Sequence, residues 1–167
     1  RRLAAMLVRA NNVIWTTDPD GDRMNRVTFK FDAENPVWGP GANRMTFWSG
    51  MDVRSVLVDG TGSDEVVIPS ALANGRELMP HSWSHDDQTL ALTVITRGVG
   101  EDIALYSVKN KQLDMFIATR FNEYNPQYSP DGKWLAFVSN KSSRAEVYVR
   151  DLEKPDRDFP VSTQGAT

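Results

Sequence analysis

Apolar residues in this chain fall in short runs separated by clusters of Gly, Pro, Asn, Asp and Ser, the spacing of short strands and turns. In the C-terminal third the runs are 127–129, 134–139, 146–150 and 159–162, rich in Val, Phe, Tyr and Trp. These residues suit a pleated, packed surface. Ser129-Pro130-Asp131-Gly132 separates the first two runs and has the chemistry of a tight turn: Pro presets φ, and Asp and Gly suit the positions after it. Residues 140–144 are a polar second turn, and 151–158 a charged, Pro-containing third loop. The four runs predict a four-stranded antiparallel meander. No stretch shows a helical period with caps; residues 72–78 form at most one helical turn. Trp134-Leu135-Ala136-Phe137-Val138 does not alternate cleanly between apolar and polar, which predicts a strand covered on both faces.

The same arrangement recurs. Asn35-Pro36-Val37-Trp38-Gly39-Pro40, Met79-Pro80-His81-Ser82-Trp83-Ser84-His85 and Asn125-Pro126-Gln127-Tyr128-Ser129-Pro130 align with Trp38, Trp83 and Tyr128 at 45-residue intervals. The following runs keep register: Arg44-Met45-Thr46-Phe47-Trp48-Ser49, Thr89-Leu90-Ala91-Leu92-Thr93-Val94 and Trp134-Leu135-Ala136-Phe137-Val138-Ser139. A four-stranded unit repeating every 40 to 50 residues is the signature of a propeller blade. Residues 1–8, 13–18 and 25–29 resemble the second, third and fourth strands of the last unit. The predicted fold is therefore an all-β partial β-propeller of about four blades, one propeller segment over 1–167. The first blade, 1–30, lacks its inner strand, and whole blades follow at 31–76, 77–121 and 122–165.

Asn125-Pro126-Gln127-Tyr128-Ser129-Pro130-Asp131-Gly132-Lys133-Trp134-Leu135-Ala136-Phe137-Val138-Ser139-Asn140, followed by Glu146-Val147-Tyr148-Val149-Arg150, resembles the TolB-type (WD-type) propeller repeat. Such propellers occur in TolB-like proteins and attached to bacterial Ser/Thr kinases and prolyl-oligopeptidase-like peptidases. The blade at Trp83 departs from the pattern, with His85-Asp86-Asp87 in place of Pro-Asp-Gly, and the blade at Trp38 has Pro40-Gly41-Ala42. The resemblance implies a ring of six to eight blades, so the chain is expected to be part of a longer propeller, in keeping with a start at Arg1 rather than Met. It also implies a binding or gating module. TolB-like proteins lean periplasmic, and a kinase-linked propeller would have another topology, so the compartment stays open.

Composition narrows the function. With 40% hydrophobic and 25% charged residues, the chain is not disordered. Nineteen basic residues against 22 acidic give a net charge of −3, without the basic surplus of a nucleic-acid binder. The apolar run 3–8 is too short to insert across a membrane. Cysteine is absent, so there are no disulfides and no thiolate metal site or nucleophile. A partial propeller leaves blade faces open, which predicts a homo-oligomer that covers them.

Candidate chemistry is sparse. Asp18-Pro19-Asp20-Gly21-Asp22 has alternate carboxylates but lacks the Gly and Glu placement of a calcium loop, and reads as a turn. His81 and His85 are the only histidines. On a strand they would lie roughly 13 Å apart, and they read as an ordinary loop and turn pair rather than metal ligands. The Gly-x-Ser-x-Gly elbow is absent, and Trp48-Ser49-Gly50 lacks its framing. Gly98-Val99-Gly100 has no phosphate-loop Lys behind it. No catalytic residue, metal or cofactor is expected; a catalytic domain, if one exists, lies outside this chain. The aromatics Trp15, Trp38, Trp48, Trp83, Tyr128 and Trp134 hold fixed places in the repeat and read as blade packing. Trp48 stands where the sister repeats have Thr93 and Val138, so it is a candidate to face a groove. Acids precede each inner strand: Asp32, Glu34, Glu77 and Glu123. They form a candidate negative rim for a cationic group or a basic patch on a protein or peptide partner. The expected function is a noncatalytic interaction module, with a gating or sensing segment of a larger bacterial enzyme as the alternative.

Overall fold

The computed structural model describes residues 3–7, 12–17, 20, 24–29 and 32–165. Among these the chain forms four antiparallel sheets, each a meander of consecutive strands. Two compact units divide it between Pro80 and His81.

The first unit holds two sheets. β1 (Leu3–Leu7), β2 (Val13–Thr17) and β3 (Met24–Arg26) form a three-stranded sheet, and β4 (Glu34–Trp38), β5 (Arg44–Trp48), β6 (Val53–Leu57) and β7 (Glu65–Ile68) a four-stranded one. Their core joins Ile14 and Val27 to Ala33, Met45, Phe47, Val56 and Val58, with Trp38 packed against it. The predicted helical turn is present but sits earlier, as α1 (Ser70–Ala73). Pro69 leads into it at φ −71°, and Asn74 ends it in the left-handed region. Apart from Asp20, the Asp18-to-Asp22 turn lies outside the described residues.

β8 (Glu77–Trp83) carries the division between the units and opens the third sheet, with β9 (Thr89–Thr96), β10 (Gly100–Ser107) and β11 (Gln112–Ile117). β12 (Glu123–Tyr128), β13 (Trp134–Ser139), β14 (Glu146–Asp151) and β15 (Asp158–Pro160) form the fourth. Within the second unit these two sheets share a core of Ala91, Ile103, Ile117, Leu135, Phe137 and Tyr148. Gly100, the first residue of β10, has a packing reason to be glycine. A Cβ there would stand 2.7 Å from Oδ1 of Asn122, the atom that accepts the Glu101 N–H.

The repeat survives in backbone detail. Asn35 and Asn125 both have positive φ, at 50° and 54°, and both sit at a break in register between first and second strands. The equivalent position in the repeat between them is Pro80, whose ring forbids that conformation. Burial on both faces holds for β9, where Leu90 to Val94 are buried without interruption. It fails for β13, where burial alternates: Leu135, Phe137 and Ser139 are inside, and Trp134, Ala136 and Val138 are half-exposed.

Candidate functional site

A cleft of about 530 Å³ opens in the second unit between the turn that follows β8 and the turn that follows β12. Both turns are built the same way. After β8, the Ser84 hydroxyl donates to Asp86 Oδ1 (2.6 Å), and that carboxylate also accepts the Gln88 N–H (3.1 Å). Ser84 Oγ in turn accepts the Thr89 N–H at 2.9 Å. After β12, Ser129 donates to Asp131 Oδ1 (2.5 Å), the Lys133 N–H reaches the same oxygen (3.1 Å), and Ser129 Oγ accepts from Trp134 N–H (3.0 Å). Every partner is displaced by 45 residues. Short polar side chains that bond their own backbone favour turns over ladders, so the Ser-x-Asp pair fixes each loop and aims its carboxylate.

Those bonds set the charge of the cleft. The Ser84 hydroxyl and Gln88 N–H hold the Asp86 carboxyl below its ordinary value, and Ser129 and Lys133 do the same for Asp131. Both are therefore anions at neutral pH and weak bases. Burial, reinforced by the Asp86 charge, pushes the Tyr128 phenol up, so it stays protonated and able to donate. His85, Thr89, Gly132 and Leu152 complete the lining. Each serine proton is committed to a carboxylate of depressed basicity, which suits capping and does not activate a nucleophile. The arrangement offers two fixed anions, a phenol donor and an apolar wall.

The residues expected at a rim are placed as follows. Asp32 is exposed and accepts the Asn12 N–H at 3.0 Å. Glu34 opens β4, half-buried, and accepts from the Asn12 side chain at 2.7 Å. Trp48, half-buried, ends β5 directly across the ladder from Glu34. The structure thus brings Asp32, Glu34 and Trp48 together. Glu77 opens β8 and is half-buried. Glu123 opens β12 in the second unit and is only 1% exposed; its Oε1 accepts from Thr119 (2.7 Å) and Ser139 (3.2 Å). Its other oxygen is buried without a hydrogen-bond partner. The sequence reading missed Asp86, Asp131 and Tyr128 as a cluster. The signal was there, in Ser-x-Asp at 84–86 and 129–131, but a turn motif does not reveal that two turns face one cleft.

No protein-family model matches the chain, and no curated protein does. Solved structures do. A TolB candidate from Agrobacterium tumefaciens superposes with a TM-score of 0.79 at 14% identity, covering 96% of this chain and 58% of its own. TolB from Acinetobacter baumannii gives 0.77 at 20% identity, covering 98% and 42%. A chain of a nidogen/laminin complex gives 0.72 at 10% identity, covering 98% and 61%. This chain thus spans about half the length of the TolB structures it matches. With four meander sheets in sequence order, the fold is a partial β-propeller of the TolB-like type.

Proposed function

We propose that the chain is a noncatalytic propeller module that binds a partner polypeptide, with its cleft receiving a basic side chain. The observation that carries this is the pairing of two turns that each fix an ionised aspartate at one opening, Asp86 and Asp131. A guanidinium or ammonium there gains charge-assisted hydrogen bonds. Its aliphatic stem lies along Leu152, and the Tyr128 ring adds a cation–π face. Asp32, Glu34 and Glu77, with Trp48 beside Glu34, are proposed as acidic groups of the first unit that draw a basic partner in; Glu123, expected beside them from its place in the repeat, is buried against Thr119 and Ser139 and takes no part. Each sheet is proposed to be one blade. A chain similar in fold comes from a nidogen/laminin complex, which supports this reading.

The test uses a short arginine-containing peptide and its citrulline counterpart, which keeps the shape and removes the charge. Calorimetry should show the arginine peptide binding and the citrulline peptide binding at least about tenfold more weakly. Asp86→Asn and Asp131→Asn retain an oxygen for the capping bonds, so the turns persist while the charge goes; each should weaken the arginine peptide by about tenfold. Equal affinity for both peptides, or cleavage of either by the purified chain, overturns the reading.

A further inference from the structure

The two carboxylates of the cleft come from different turns and border one gap. Asp86 follows β8 and Asp131 follows β12. The turns approach each other where His85 meets Gly132: a Cβ added at Gly132 would stand 3.7 Å from His85 Cβ. Asp86 is the chain neighbour of the first and Asp131 of the second, so the acids flank the same opening from two sides. Each already commits Oδ1 twice. Asp86 takes the Ser84 hydroxyl and the Gln88 N–H there, and Asp131 takes the Ser129 hydroxyl and the Lys133 N–H. Each therefore offers a guest its other oxygen, Oδ2, and neither alone can take both arms of a bidentate donor.

The repeat shows that closing the turn requires neither acid. The Gly39 N–H donates to the Arg44 carbonyl at 2.9 Å, as Ser84 does to Thr89 (2.8 Å) and Ser129 to Trp134 (2.9 Å). Gly41 stands in the first of these turns where Asp86 and Asp131 stand in the others. That turn closes without a serine cap and without a carboxylate. Two anions at one gap repel each other, and turn closure does not demand them. A cation held between them removes the repulsion.

We propose that the cleft selects arginine over lysine in a partner polypeptide, the guanidinium bridging Asp86 and Asp131 with its plane against the Tyr128 ring; this rests on the cleft's being a cation site and adds which cation it takes. A guanidinium is planar and weakly hydrated, carries its donors in a fixed fork, and stacks on aromatic faces. Its two terminal nitrogens point in different directions, so one donates to each Oδ2. Its face then lies on Tyr128, which lines the same opening. A lysine ammonium is a compact, strongly hydrated point charge. Paired with one Oδ2, it leaves the second anion unanswered and presents no plane to the ring. Tyr128 and the placing of the acids on two turns, rather than charge alone, set the choice.

The test is calorimetry of the full chain with short peptides identical except at one position, which holds arginine, lysine, dimethylarginine or citrulline. The arginine peptide should bind at least about tenfold more tightly than the lysine peptide. Dimethylarginine keeps the charge and blocks the fork, so it should bind no better than lysine. Citrulline, without charge, should be weakest. In Asp86→Asn and in Asp131→Asn the ratio of arginine to lysine affinity should fall toward one, because the fork is left with a single anion. Tyr128→Phe retains the ring and should retain the ratio. Equal affinity for the arginine and lysine peptides, with citrulline weaker, overturns the selectivity and leaves a plain cation site. An arginine preference that survives both aspartate substitutions, or that dimethylarginine shares, overturns the bridging. Binding of none of the four peptides overturns the cation reading itself.

Discussion

Burial keeps His81 neutral. Its side chain on β8 is largely removed from water, and desolvation lowers its pKa to about 4, against about 6.5 in an unfolded chain. Between these values the unfolded chain binds a proton that the folded chain refuses. Stability is therefore fully present above about pH 6.5 and falls as pH drops toward 4, by an amount on the order of 2–3 kcal/mol. Denaturant midpoints measured at pH 7, 5.5 and 4.5 should fall across the series. His81→Gln should flatten the slope whatever it does to the absolute midpoint. Asp86 and Asp131 do not confuse the result. Their carboxyls lie below 3.8, so the stability they add is lost only below that window. The sequence showed two histidines four apart; it could not show that the strand half-buries one while the turn exposes the other.

The turn between first and second strands is the element most legible in the sequence, and the one where legibility has a clear limit. Ser129-Pro130-Asp131-Gly132 announces it, and His85-Asp86-Asp87 and Pro40-Gly41-Ala42 do not, yet all three close alike. The N–H of residues 39, 84 and 129 donates to the carbonyl of residues 44, 89 and 134. The residue three after the first is left-handed in each, Ala42 at φ 53°, Asp87 at 59° and Gly132 at 70°. Ladder geometry on either side imposes the turn, and side chains only adjust its cost. An alanine in the left-handed region costs about 1–2 kcal/mol, so Ala42→Gly should raise stability by about 0.5–1 kcal/mol once glycine's extra entropy of about 0.5–1 kcal/mol is offset. Gly132→Ala should lose a similar amount. Its added Cβ would meet only His85 Cβ at 3.7 Å, so the loss would come from the backbone rather than a clash. Urea midpoints of the two variants check both signs.

At the scale of the whole chain, the 45-residue period made the fold readable because each sheet is local in sequence: its strands follow one another and its turns recur. What faces what is not local. The cleft needs Asp86 and Asp131, 45 residues apart. Charge is the one whole-molecule property read directly from composition, and it carries its own test. A chain of net charge −3 with exposed acids at Asp32, Asp86 and Asp131 attracts a basic peptide before contact. That attraction acts over about 30 Å at 0.01 M salt and about 8 Å at 0.15 M. Raising salt over this range should slow association of the arginine peptide several-fold while leaving its dissociation nearly constant, because steering changes encounter rather than the docked contact. The citrulline peptide should show little salt dependence in either rate. Stopped-flow association at both salt concentrations decides it. If salt instead speeds dissociation and leaves association alone, the acids act only within the docked cleft, and the distributed acidic surface has no part in capturing the partner.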